Sequence, residues 1–269
     1  MAPDSPAVTV LIGAYENEPT VARAVASILA QTESNLELIV IDDGSRDGSS
    51  TAAREAIGSD PRARVMRLEQ NLGIARSLNA GLEAAAAPVV AIQDADDYSE
   101  PNRLERELAV LNEDPDVAVV GSRMREVDDA GRELRPRTSF VAGEVGAVLP
   151  SFNPIPNGSA LIRRDAARAV GGYDPRYRYA TEYDLWLRLA EQHRLVALDE
   201  ELCTRVMGGG NVAARAERAQ LAEGLAIRLR ALRRRRTLKG CSGLVRPALS
   251  YALPTPLKRA LRERRGQAP

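Results

Sequence analysis

The run Gln93-Asp94-Ala95-Asp96-Asp97 holds the carboxylates in this chain best suited to a charged ligand. Two aspartates two positions apart can reach one ion through a turn when a strand ends beneath them. A second pair, Asp42-Asp43, precedes Gly44-Ser45, and a third polar group, Tyr15-Glu16-Asn17, follows the first apolar run. Carboxylates gathered without partners repel one another and take up protons. A hard divalent cation, Mg2+ or Mn2+, relieves that repulsion, and Mg2+ in particular combines one or two protein carboxylates with substrate phosphate oxygens. A lone Asp-x-Asp also reads as a turn or a helix cap. The Asp42-Asp43 pair at a neighbouring strand end tips the reading toward the cation.

Those groups need elements that bring them together. Residues 8–15 (VTVLIGAY), 36–43 (LELIVIDD), 63–69 and 89–97 read as strands. Between them lie helical patterns with apolar stripes: Val21, Val25, Ile28 and Leu29; a short helix near 50–57; then Ile74, Leu78 and Leu82. A further helix carries Leu104, Leu108 and Leu111. This alternation predicts an α/β fold of βαβ units, Rossmann-like, with a mostly parallel sheet and helices on both faces. Ligands of such sheets bind beyond the carboxyl ends of the strands, so the three polar groups should line one crevice. The second half is less regular. Strands are expected near 118, 159 and 195, a helix from Tyr183 to about Gln192, and loops from Arg132 to Asn157. A leucine register, Leu221, Leu225, Leu229 and Leu232, predicts a helix running into Arg233–Arg236, with a last short one from Pro256.

Taken together, VTVLIGAYENEPTVARAVASILAQT, LELIVIDDGSRDGS, NLGIARSLNAGL and AIQDADDYSEPNRLERELAVL resemble the family 2 glycosyltransferases of the GT-A fold. GGYDPRYRYATEYDLWLRLAEQ extends the resemblance, which covers residues 7–207. It implies transfer of a sugar from a nucleotide-sugar donor to a hydroxyl acceptor, a saccharide or lipid-linked glycan, by a metal-dependent inverting displacement. By position, Gly13 and Tyr15 match the loop around base and ribose. Asp43 matches the residue that reads the base, with Asp42 in support. Asp94 and Asp96 match the Asp-x-Asp that binds ribose and metal-bridged diphosphate, Asp96 being the more direct metal ligand. Glu182 takes the place usually held by an aspartate base, one methylene longer, and Asp184 is the second candidate for that role. Arg205 is in place in the segment after the last core strand, but Met207 stands where the family often has a histidine. A thioether is a poor ligand for a hard cation. Either the metal has fewer protein ligands, or the closing segment acts through Arg205 and Gly208-Gly209-Gly210, or turnover is weak or absent.

The resemblance divides the chain into a nucleotide-sugar half at 1–97, an acceptor half at 98–210 and a basic helical C-terminal extension at 211–269. The formal net charge is zero, yet from Asn211 onward there are 15 Lys and Arg against three Asp and Glu. A basic tail of this kind is a solvated helix face or binds an anionic partner, and we expect it to lie on an anionic membrane surface. No apolar run approaches the roughly 18 residues of a membrane span, and the opening residues carry no export signal. The expected location is cytoplasmic, at the inner membrane face where peripheral. Two cysteines give no disulfide framework, and 4% aromatic residues argue against a single-stranded nucleic-acid surface. Gly208–Ala213 fits a dinucleotide pattern only formally, because no second strand follows its helix and no acidic residue about 20 positions on closes a βαβ unit. Trp186 and Leu187 read as core, and His193 as surface. Two other readings stand: a nucleotide-sugar-binding protein with little catalysis, and a sugar nucleotidyltransferase. The latter would open with a Gly-rich, Arg-containing loop, which Gly13-Ala14-Tyr15-Glu16-Asn17 is not.

Overall fold

The computed structural model describes residues 5–135, 140–208 and 217–235. Its first half follows the expected alternation: β1 (Val8–Ala14), α1 (Val21–Leu29), β2 (Leu36–Asp42), α2 (Ser49–Ile57), β3 (Ala63–Arg67), α3 (Ile74–Ala84) and β4 (Val89–Asp94). After a two-residue strand β5 (Tyr98–Ser99) come α4 (Arg103–Glu113), β6 (Val117–Val127) and β7 (Gly143–Glu144). The chain then makes a 3-10 turn, Asn157–Ser159, and continues through β8 (Leu161–Arg163), α5 (Arg164–Ala169), α6 (Thr181–Leu189), β9 (Arg194–Val206) and α7 (Glu217–Arg235).

The strands form one sheet in the order β3-β2-β1-β4-β8-β6-β9-β5, with β7 paired to β9. From β3 to β4 every pairing is parallel. Beyond β4, β8 runs antiparallel to both neighbours, β5 and β7 run antiparallel to β9, and only β6 and β9 are parallel. The sheet is therefore mixed: all-parallel through the first half, and mostly antiparallel beyond β4 apart from the β6–β9 pair. Strand periodicity sorts the core into two layers. Leu11, Ile39 and Ile41 face the layer formed by Leu78 and Leu82 of α3, Trp186 of α6 and Ile227 of α7. Val10, Ile12, Leu38 and Val40 face Val21, Val25 and Ile28 of α1 and Leu104, Leu108 and Leu111 of α4. Helices thus cover both faces, and buried Trp186 and Leu187 are core as expected.

α7 departs from its leucine register. Ile227 is buried, whereas Leu229 is exposed. The polar anchors on this helix, Glu223, Arg228 and Arg230, all hold partners on the main body, and they select the face that carries Ile227. The helix expected from Pro256 and the arginine at 236 lie outside the described residues. No helix among the described residues is long and apolar enough to cross a membrane.

Candidate active site

β1, β2 and β4 end at the same edge of the sheet, so Ala14 pairs with Asp42 and Gly13 with Asp94. The reversal from β4 to antiparallel β8 opens the crevice there. Opposite Asp94 the backbone of the Asn157–Ser159 turn comes very close: a Cβ at Gly158 would sit 2.6 Å from Asp94 Oδ2. That position has room only for glycine. Burial first, then the charge of Asp96, raises the Asp94 carboxyl to about 6. Asp97 is buried more completely and, with Asp94 and Asp96 adding repulsion, is raised to about 8. The Val206 N–H donates to Asp97 Oδ1 at 3.0 Å, and Arg205 Nε lies 3.8 Å from Asp97 Oδ2. Arg205 lowers the proton affinity of Asp94, Asp97 and Glu182 alike. Its Nη2 also reaches Met124 Sδ at 3.3 Å.

Glu182 stands in the first turn of α6. Burial is the main cause, and the Asp94 charge a further one, of a carboxyl raised to about 7. Asn153 Nδ2 donates to Glu182 Oε1 at 3.1 Å, and the residue's own backbone N–H also bonds the carboxylate. Asp184 sits differently. It is buried against Arg188, with Nε to Oδ2 at 2.7 Å, and Arg188 in turn donates to the Val170 and Gly172 carbonyls. Its carboxylate is committed to tying α6 to the segment after α5.

On the nucleotide side, the Leu72 and Gly73 N–H groups donate to the two oxygens of Asp43, both at 2.8 Å. Asp43 therefore builds the loop that leads into α3. Asp42 accepts the Ser45 N–H at 2.9 Å through Oδ1, while its buried Oδ2 has no hydrogen-bond partner and only Arg67 Nε at 3.5 Å. Tyr15, just past the end of β1, is 42% exposed, and Glu16 beside it adopts φ +56°. That left-handed backbone is rare for a residue other than glycine, and it is held by a hydrogen bond from the Glu16 N–H to Ser45 Oγ at 3.1 Å. Gly13 packs under α3, where an added Cβ would meet Ile74 Cδ1 at 2.8 Å.

Several residues were not singled out by sequence. Tyr173 is fully buried, donates to Asn157 Oδ1 at 2.9 Å, and lies within the electrostatic reach of Glu182 and Asp94. Asn157, Gly158 and Asn153 fall in or beside a stretch that reads only as Pro- and Gly-rich loop. The available signal was Gly171-Gly172-Tyr173. Both glycines have positive φ, and Asn79 of α3 exchanges two hydrogen bonds of 2.8 Å with the Tyr173 backbone. Among the described residues, no three His, Cys, Asp or Glu side chains converge as a closed metal cage. An open set of aspartates with raised proton affinity suits a hard cation that takes its remaining ligands from a diphosphate and water. The Met207 N–H donates to Val127 O at 2.7 Å, and the glycines at 209 and 210 lie outside the described residues.

Residues 9–171 match the family model described as Glycosyl transferase family 2. The chain is 34% identical over 190 residues to the putative glycosyltransferase EpsE of Bacillus subtilis, covering 70% of this chain and 68% of that protein. It is 28% identical over 206 residues to the amylovoran biosynthesis glycosyltransferase AmsE of Erwinia amylovora, covering 76% and 77%. Among solved structures, the fold is similar to the mannosyltransferase PcManGT of Pyrobaculum calidifontis in complex with GDP-Man and Mn2+. The TM-score is 0.69 at 19% identity, over 97% of this chain and 80% of that one. It is also similar to residues 1–349 of S. aureus TarS in complex with UDP-GlcNAc, with TM-score 0.69 at 18% identity over 84% and 66%.

Proposed function

The chain belongs to glycosyl transferase family 2 and is a glycosyltransferase, and from that premise we propose that it moves a sugar from a nucleoside-diphosphate donor to a hydroxyl acceptor with inversion, using Glu182 as base. The observation that carries this reading is that Glu182 feels the charges of both Asp94 and Arg205, with Asp94 at the carboxyl edge of the parallel half-sheet. The nucleoside lies along Tyr15 and the β2 end. Asp42 and Asp43 brace this wall from within: buried Asp42 holds the Ser45 N–H and faces Arg67, and Asp43 keeps the 72–73 backbone in place. Gly13 serves by letting α3 approach β1. Asp96 and Asp94 hold a Mg2+ or Mn2+ ion, which when bound neutralises the diphosphate as it departs.

The reaction needs one proton acceptor on the acceptor side. Glu182 takes the proton of the acceptor hydroxyl while that oxygen forms its bond to the anomeric carbon. The bond from that carbon to the diphosphate oxygen breaks, and its electron pair leaves with the diphosphate. Arg205 meets the developing negative charge from the opposite wall. Asp184 is the weaker candidate for base because Arg188 already holds its carboxylate. Saccharide acceptors of a growing polysaccharide fit the names of the relatives, and an anionic membrane surface under the basic tail fits a lipid-linked one.

The test is a thermal-shift panel of UDP, GDP and CDP with and without Mn2+, followed by turnover of the matching nucleotide sugar. Stabilisation that needs both nucleotide and metal, and turnover abolished by chelation, are the expected results. Full activity after complete chelation overturns the metal-dependent reading.

A further inference from the structure

The sequence sets residues 211–269 apart as a tail, yet α7 makes its best contacts on the two segments that flank Glu182. On one flank, the Glu223 carboxylate accepts the N–H groups of Arg178, Tyr179 and Ala180 at 2.8–3.1 Å. These are the last three residues before α6 begins, and Glu182 is the second residue of that helix. One carboxylate therefore anchors the helix start and meets the positive end of its dipole. On the other flank, Arg228 donates to the carbonyls of Pro150 and Ser151, both at 3.2 Å. Two residues on, Asn153 donates to Glu182 Oε1. The same guanidinium stacks on Tyr183, 4.7 Å from its ring centroid, and the Tyr183 hydroxyl donates to Leu149 O at 2.5 Å. Ile227, between the two polar residues in sequence, is buried in the core and fixes the height of the helix on α6.

We infer that α7 belongs to the catalytic apparatus, with Glu223 and Arg228 as positioning residues that aim the Glu182 carboxylate from both sides. The inference rests on the reading of Glu182 as base, and it adds a part the family match to residues 9–171 does not contain. Glu223 sets the helix that carries the carboxylate. Arg228 sets the segment whose Asn153 orients it. Outside their own helix Glu223 and Arg228 hold residues 150–183 and not the donor wall at Tyr15, Asp42 and Asp96, so donor binding should be independent of both residues. A misplacement on the order of 1 Å at a reacting group costs up to about 10²-fold in rate.

The experiment compares full-length wild type, Glu182→Gln, Glu223→Gln, Glu223→Asp, Arg228→Met, Arg228→Lys and Arg230→Met. Arg230 is on the same helix and pairs with Asp174, 3.3 Å away, so its variant controls for loosening of α7. Turnover is read as nucleoside diphosphate released from whichever of UDP-GlcNAc and GDP-mannose stabilises wild type with Mn2+. Glu223→Gln and Arg228→Met should each lower kcat roughly 10- to 10²-fold, with the donor KM and the nucleotide-dependent thermal shift unchanged. Glu223→Asp and Arg228→Lys should recover part of the loss, and Arg230→Met should keep wild-type kcat. Since Glu223 is not in the core, its variant should fold, and Arg228→Lys gives an independent reading of the second flank. Wild-type kcat in both Glu223→Gln and Arg228→Met, with Glu182→Gln inactive, overturns the inference alone. A parallel loss of donor binding, or an equal loss in Arg230→Met, also overturns it. Wild-type turnover in Glu182→Gln instead removes the base assignment on which it rests.

Discussion

The two walls of the crevice hold their carboxylates in different ways. On the donor wall, from β1, β2 and β4, each aspartate follows directly from a strand in a parallel sheet. Register alone brings Gly13 beside Asp94 and Ala14 beside Asp42. On the acceptor wall Glu182 rides on a nine-residue helix that no strand carries to the edge. It is held by Asn153 of a loop, and the start of its helix by Glu223 from the far end of the chain. The donor wall is built by topology, and the acceptor wall by side-chain contacts between distant segments. Substitutions on the first should weaken binding of the donor. Substitutions on the second should slow turnover and spare binding.

The sharpest separation comes from Glu182→Gln. Removing the base should cost ~10²- to 10⁴-fold in kcat, while the thermal shift given by nucleoside diphosphate and Mn2+ stays at the wild-type value. Wild-type enzyme should also show the charge state of this group. The base acts deprotonated, so kcat/KM should climb as pH rises through about 7 and be lost below it. The sign for stability is opposite. Its folded value lies above the ordinary 4.5, so the folded state holds the proton more tightly. That contribution is fully present below 4.5 and is lost as pH rises through about 7. A flat rate profile from pH 5 to 9 would remove Glu182 from the mechanism.

Next in size is the donor wall. Asp96→Asn should lower kcat by ~10²- to 10³-fold, the scale of losing one electrostatic partner of a developing charge. Unlike Glu182→Gln, it should also abolish the Mn2+-dependent part of the thermal shift. Gly158→Ala tests where the walls meet. Its Cβ would sit 2.6 Å from Asp94 Oδ2 and 2.9 Å from its Cγ, so the Asp94 side chain would have to shift. Up to ~10²-fold of kcat/KM should go, through displaced Asp94. Unchanged kinetics would mean that Asp94 can turn aside and is not held by the turn.

The same contrast explains what could be read from the sequence. Strands β1, β2 and β4 are runs of mostly β-branched and aliphatic residues buried on both faces, and a polar residue at the end of such a run can only lie at the sheet edge. Asp42, Asp43, Asp94 and Asp96 were therefore legible as a group. Their separate tasks were not, because the use of Asp43 depends on the Leu72 and Gly73 amides of a loop without periodicity. Glu182 was found only through resemblance to the family, and nothing local separates it from Asp184. Arg188, four residues after Asp184 on the helix, makes that distinction once its carbonyl partners are known. Tyr173, Asn157 and Gly158 were not singled out, since contacts across dozens of residues leave no periodic trace. α7 was read as a separate tail because its leucines and arginines outweigh the single Ile227 that docks it.

The smallest effect concerns the joint between the walls. Asn79 is on α3, behind the donor wall, and its side-chain amide both donates to and accepts from the Tyr173 backbone at 2.8 Å. Gly172 precedes that tyrosine with φ +65°, and an added Cβ would lie 2.5 Å from Asn79 Oδ1. The glycine lets the amide reach, and the amide fixes the turn from which Tyr173 enters the core. Asn79→Ala leaves one donor and one acceptor of Tyr173 without partners, at a cost of ~1–3 kcal/mol. For a domain of this size the melting temperature should fall by ~3–10 °C. Donor affinity should stay at wild type, because Tyr15 follows β1 directly and Asp42 ends β2. If the two walls are as independent as their construction implies, kcat should fall less than threefold at temperatures well below melting. A large drop in donor affinity would show instead that the GGY turn supports both walls, and the division between topology and contact would have to be redrawn at α3.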